Sequence, residues 1–117
     1  MTTKDTVLAY FRSLKDKGRW EEHVSETMQF ASFVTPIKRA SGRAAFLEAT
    51  RRFYSMIKSV EVNKLIVEDH SACALTRYEL QPPAGPVFEC HVAEVFEVQE
   101  GKISALDIYF DSSPFPK

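Results

Sequence analysis

The chain is short of the residues that mark special architectures. Only Cys73 and Cys90 are cysteine among 117 residues, so one disulfide at most can form and a disulfide-stapled scaffold is excluded. The opening Met1-Thr2-Thr3-Lys4-Asp5 holds no apolar export segment, so two reduced thiols in a cytoplasmic protein are the expectation. Gly18, Gly42, Gly85 and Gly101 stand singly, which leaves neither a phosphate-cradling loop nor a dinucleotide fingerprint, and there is no serine elbow motif. The longest apolar run, Val7 to Phe11, falls far short of a bilayer crossing. Neither sign of charge dominates: 15 basic against 16 acidic residues give a net charge of -1 and no field to draw in a polyanion. Neither nucleic acid nor membrane is an expected partner. His23, His70 and His91 show no paired ligand spacing with each other or with the cysteines, and neighbours Cys90 and His91 point to opposite faces of a strand, so neither a metal nor another cofactor is expected.

What the chain does have is a globular balance, 44% hydrophobic and 26% charged, at a length that suits one domain over residues 1–117 with an irregular tail at 112–117. Val7, Leu8, Phe11 and Leu14 recur as one helix face ending near Lys15, Lys17 and Gly18. Residues 19–24 read as a short second helix carrying Trp20, and residues 27–35 as a strand stopped by Pro36. Ser41 can cap a longer helix through Phe46, Leu47, Thr50, Phe53, Tyr54 and Ile57. From Val60 the period changes to two, and turn signals at 68–71, 81–86 and 99–102 divide four strands at about 61–67, 72–80, 87–98 and 103–110. Short connections make these antiparallel, and the expected class is α+β, with helices on one face of the sheet.

The long strand isolates one residue. Phe88, Cys90, Val92, Glu94, Phe96 and Val98 share a face that is apolar except at Glu94, whereas Glu89, His91, Ala93, Val95 and Glu97 share the other. A slip of one residue would exchange the faces, so the pattern aims Glu94 at the helices. A carboxylate alone in such surroundings costs several kcal/mol, so it must be paired, hydrogen-bonded, protonated or wetted. A bulge turning it outward, or neutralisation by Arg77 on the next strand, is one reading; a carboxyl of raised proton affinity, poised to donate or exchange a proton, is the other. The facing of Arg77 is open, because Ala72, Ala74, Thr76, Tyr78 and Leu80 compete with Cys73, Leu75, Arg77 and Glu79 for the inside. In the last strand Leu106, Ile108 and Phe110 point inward and leave Asp107 and Tyr109 outside, and Asp111 reads as a surface carboxylate. Ala93, Val95 and Tyr109 make the outer face too apolar for full exposure, which suits a homodimer through that face. Lys38, Arg39 and Arg43 are solvated loop charge or the rim of an anion-accepting site.

In order and spacing, Val7-Leu8-Ala9-Tyr10-Phe11, Phe33-Val34-Thr35-Pro36, Ser41-Gly42-Arg43-Ala44-Ala45-Phe46, Val92-Ala93-Glu94-Val95-Phe96-Glu97-Val98, Gly101-Lys102-Ile103 and Tyr109-Phe110-Asp111 resemble the nuclear transport factor two-like superfamily, in its SnoaL-like and ketosteroid-isomerase-like branches. The resemblance spans nearly the whole chain. It implies a cone: a strongly curved, mostly antiparallel sheet wrapped around about three helices, with an apolar pocket at its open end and commonly a dimer through the outer sheet face. It places Tyr10 and Glu94 on the tyrosine and protonated acid that stabilise a developing enolate in ketosteroid isomerases. Thr35 stands where those enzymes carry their aspartate base, and a threonine hydroxyl is no general base near neutral pH. The SnoaL-like cyclases match around Gln81-Pro82-Pro83-Ala84-Gly85, with Glu94 and Asp111 at acid/base positions. Within the cone, Thr35, Phe33, Tyr54, Arg77, Cys90, Val92, Ile108 and Phe110 are the residues expected to contact substrate.

The expected function is acid/base chemistry of isomerase, cyclase or epoxide-hydrolase type on an apolar small molecule, with Glu94 and Tyr10 as catalytic groups. A non-catalytic ligand-binding or dimeric interaction module is the alternative, and a filled pocket in a purely structural dimer is a third.

Overall fold

The computed structural model describes residues 2–34 and 36–115. Helix α1 spans Thr3–Lys15 and opens on a reciprocal cap: Thr2 Oγ1 accepts from the Asp5 amide at 3.0 Å, and the Asp5 carboxylate accepts from the Thr2 amide at 3.3 Å. Its inner face buries Thr6, Val7, Tyr10, Phe11 and Leu14. A single 3-10 turn, Trp20–His23, replaces the short second helix expected at 19–24, because Val24 is already taken up by strand β1, Val24–Ser32. Strand β2, Lys38–Ser41, was not legible as an element. It pairs antiparallel with β1, so Ser41 belongs to the sheet and does not cap the next helix. Helix α2, Arg43–Ser55, starts instead from Gly42, whose φ of 91° is open to glycine at little steric cost and turns the chain out of the strand. The helix ends two residues short of Ile57, which pairs with Leu80 at the start of β3, Ile57–Glu68. Strands β4, Ser71–Leu80, β5, Phe88–Gln99, and β6, Lys102–Phe110, complete the meander.

The six strands lie in the order β2-β1-β6-β5-β4-β3. All neighbours are antiparallel except β1 and β6, whose parallel pairing brings the first strand beside the last. Register shifts interrupt β3 twice and β5 against β6 once, the bulges that bend strands and let a sheet curl. Helix α1 packs against β3 to β6 and α2 against β1 and β2, so both helices lie within the curl of one sheet. The fold is α+β, and its core joins the helix faces to Met28, Phe30, Tyr78, Leu80, Phe96, Ile103 and Leu106. No helix among the described residues is long and apolar enough to cross a membrane.

A candidate active site beside a cavity

Alternation in β5 holds along the strand: Cys90, Val92, Glu94, Phe96 and Val98 are buried, while Glu89, His91 and Glu97 are exposed. Glu94 is 2% exposed. Its register partners are Ala74 on β4 and Ile108 on β6, and the row continues through Ser32 on β1 to Lys38 on β2. Both hydrogen bonds to its carboxyl come from β4 and go to one oxygen: Thr76 Oγ1 and Tyr78 Oη each donate to Oε2 at 2.8 Å. Among the described residues Oε1 accepts none, and no cation pairs with the group. Burial raises the carboxyl from 4.5 to about 7, against the pull of the Tyr78 and Thr76 donors, which favour the ionised form.

Strand β4 therefore turns Ala72, Ala74, Thr76, Tyr78 and Leu80 inward. This overturns Arg77 as a partner of Glu94 or a contact for a ligand in the cone. Its guanidinium lies on the opposite face, donating to Glu61 Oε2 at 2.8 Å and Glu89 Oε1 at 3.0 Å. Thr76 and Tyr78 take the place expected of Arg77. Their signal in the sequence was two hydroxyls at the parity of Ala72, Ala74 and Leu80, unreadable without knowing that Ala74 pairs with Glu94.

Tyr10 and Tyr54, from α1 and α2, are hydrogen-bonded to each other through their hydroxyls. The Trp20 ring lies at 4.6 Å from Tyr54 and 6.1 Å from Tyr10, both edge-to-face, so a residue of the 3-10 turn holds the pair. Burial pushes the Tyr10 hydroxyl well above the ordinary tyrosine range, and the charges of Tyr54, Tyr78 and Glu94 add to it. Tyr54 and Tyr78 are raised by burial first and by Glu94 next. Three neutral phenols thus lie within electrostatic reach of one carboxyl that titrates near neutrality.

A cavity of about 550 Å³ opens between α2 and the inner face of β1, β2 and β6. Tyr54, Ile108 and Phe110 line it, as do Phe53, Thr50 and Met56 from the α2 side, Pro82 to Ala84 from the β4–β5 loop, and Phe115. Glu94 does not line it. It lies one strand further in, beside Ile108, and two side chains connect the two regions: Tyr54, bonded to Tyr10, and Phe53, whose ring packs edge-to-face on Tyr78 at 5.3 Å. Tyr10, Cys90 and Val92 are likewise core residues, 0%, 1% and 5% exposed, and do not line the cavity. Burial, then the Glu94 charge, pushes the Cys90 thiol up to about 12, which leaves it an unreactive neutral group.

Phe33, expected in the cone, lies outside it. It stacks on outward-facing Tyr109 with ring centroids 4.8 Å apart and carries the Arg39 guanidinium at 5.3 Å, away from the cavity. Thr35 lies outside the described residues. Asp111 follows the end of β6 and accepts from the Ser113 amide and hydroxyl. Among the described residues no three of His, Cys, Asp and Glu cluster as a metal could require.

The fold has solved counterparts. A protein from Kribbella flavida DSM 17836 is 26% identical with a TM-score of 0.80, over 95% of this chain and 88% of its own. A candidate SnoaL-like polyketide cyclase from Jannaschia sp. CCS1 is 15% identical with a TM-score of 0.78, over 93% and 85%. An LEH-like epoxide hydrolase from M. tuberculosis is 17% identical with a TM-score of 0.77, over 93% and 82%. No curated protein matches the chain. The model of the SnoaL-like domain matches residues 4–106, nearly the whole sheet and both helices, and the chain belongs to that family, within the nuclear transport factor two-like superfamily.

Proposed function

We propose that this protein is a small-molecule enzyme of the SnoaL-like class, performing acid/base chemistry of isomerase, cyclase or epoxide-hydrolase type on an apolar substrate in the cavity beside Tyr54. The observation that carries the reading is Glu94: a carboxyl 2% exposed, raised to about 7, set near the buried phenols of Tyr10 and Tyr78 and the half-buried phenol of Tyr54, one strand from an apolar cavity. A group titrating there is close to optimal for exchanging a proton at neutral pH. Oε2 is already saturated by Thr76 and Tyr78, so a proton on the carboxyl belongs on Oε1. Tyr54 presents the cluster to the cavity. Its hydroxyl would donate to a carbonyl or epoxide oxygen, with Tyr10 behind it sharing the developing charge.

Turnover of a panel of enones, polyketide-like ketones and epoxides tests this. Glu94→Gln and Tyr54→Phe are each expected to lower kcat about 10²- to 10³-fold on whichever compound turns over. Unchanged turnover in Glu94→Gln removes the residue from its role.

One observation favours a second reading, a non-catalytic ligand-binding module. Among the described residues no carboxylate or imidazole lines the cavity, whose charged members are Lys38 and Arg52. Native mass spectrometry would then show a retained ligand that is never chemically altered. Either form is proposed as a homodimer through the outer face. There, exposed Leu75 and Tyr109 fall in one cross-strand row with Ala93, and Ile66 in the next with Cys73 and Val95. Sedimentation should give twice the chain mass, and Leu75→Glu should halve it.

A further inference from the structure

Taking the cavity as the substrate site, as proposed above, we infer that its ligand is an apolar monocarboxylate, its anionic end held at the mouth by Lys38, Arg52 and the Ser32 hydroxyl. The charged residues of the lining are both cations, and neither makes an ion pair with any described residue. Ser32 is a separate observation. It is only 8% exposed, it lines the cavity, and its hydroxyl makes no hydrogen bond among the described residues. The hydroxyl itself still opens to solvent, so it is free to donate to a ligand's acceptor in exchange for water.

Register brings these groups together. Ser32 and Lys38 are direct partners on β1 and β2, so their side chains leave the sheet side by side, and Ser32 is in turn the partner of Ile108. Arg52 approaches from the last turn of α2. The body of the ligand would lie against Phe53, Ile108, Phe110 and Phe115, with its far end towards Tyr54. A single negative charge fits better than a phosphate dianion. The carbonyl end of α2, with its partial negative charge, lines the same cavity, and Ser32 would add one neutral donor to the two cations. Asp111 precedes lining residue Ser112, but its carboxylate is directed to Ser113 and does not line the cavity.

The test compares 2-naphthoate, its neutral methyl ester and 2-naphthyl phosphate by titration calorimetry at pH 8 and low salt. The carboxylate is expected to bind about five- to tenfold more tightly than the ester, a preference that shrinks with added salt. Both cations are exposed, so Lys38→Gln/Arg52→Gln should fold normally, remove the preference and leave the ester affinity in place. Ser32→Ala should reduce the preference by a smaller factor. Equal or tighter binding of the ester, or a double variant weakening acid and ester alike, overturns the anionic assignment while leaving the substrate cavity standing. Tighter binding of the phosphate overturns the carboxylate class. Binding of none of the probes at millimolar concentration overturns the assignment together with the cavity's proposed role.

Discussion

Two carboxylate sites lie on opposite faces of strands β3 to β5, and they share little beyond residue type. On the inner face Glu94 is buried, meets no cation and is served by the hydroxyls of Thr76 and Tyr78. On the outer face Glu61 and Glu89 flank Arg77 in water, and their two hydrogen bonds hold the guanidinium above its ordinary range. Arg77 and Thr76 are neighbours in sequence, and so are Ala93 and Glu94. One step of strand parity decides whether a carboxylate is a solvated partner or a group whose proton is held to neutrality. The lesson is energetic. Exposed pairs exchange one set of favourable contacts with water for another and gain little, whereas burial without a counter-charge shifts the ionisation equilibrium itself.

The largest expected effect follows from linkage. The folded carboxyl of Glu94 is raised from 4.5 to about 7, so between those values the folded state binds more protons than the unfolded chain. Stability contributed by the group is thus fully present below about pH 4.5 and lost as pH rises towards 7, a total on the order of 3 kcal/mol. Urea denaturation at pH 5 and pH 8 should show most of this loss in the native chain, and Glu94→Gln, which keeps an oxygen for Thr76 and Tyr78, should abolish it. Parallel pH curves for the two proteins would break the contrast between inner and outer sites.

Tyr78→Phe removes one of two donors to Oε2. It should move the Glu94 midpoint further up and cost about 1 to 2 kcal/mol at pH 8, less at pH 5 where the carboxyl is protonated. A midpoint unchanged by the loss of that hydroxyl would mean that Tyr78 does not serve the carboxylate. The smallest effect is expected outside: Arg77→Gln should leave the melting temperature and the Glu94 titration nearly unchanged. A large drop would show that the outer pairs matter more than their exposure implies.

How far the sequence could be read follows from the same physics. The meander was legible because alternation and turn residues coincide over β3 to β6, and the position of Glu94 was legible because β5 has one unambiguous apolar parity. On β4 both parities carry apolar residues, so Thr76 and Tyr78 could be distinguished from Arg77 only through pairing with β5. Strand β2 escaped notice because four mixed residues give no period. The helical spacing of α2 extends to Ile57 because an apolar residue at that position satisfies it and also begins the strand that follows. The cavity depends on contributions from α2, three strands, the β4–β5 loop and Phe115, a coincidence in space with no local signature.

The most direct measurement is a carbon-detected nuclear magnetic resonance titration of the Glu94 carboxyl, assigned by the signal lost in Glu94→Gln. A midpoint near 7, well separated from the remaining glutamates, is the expected result. A midpoint near 4.5 would show that water reaches the group freely, and both the neutral-pH proton exchange and the buried cluster built around it would be wrong.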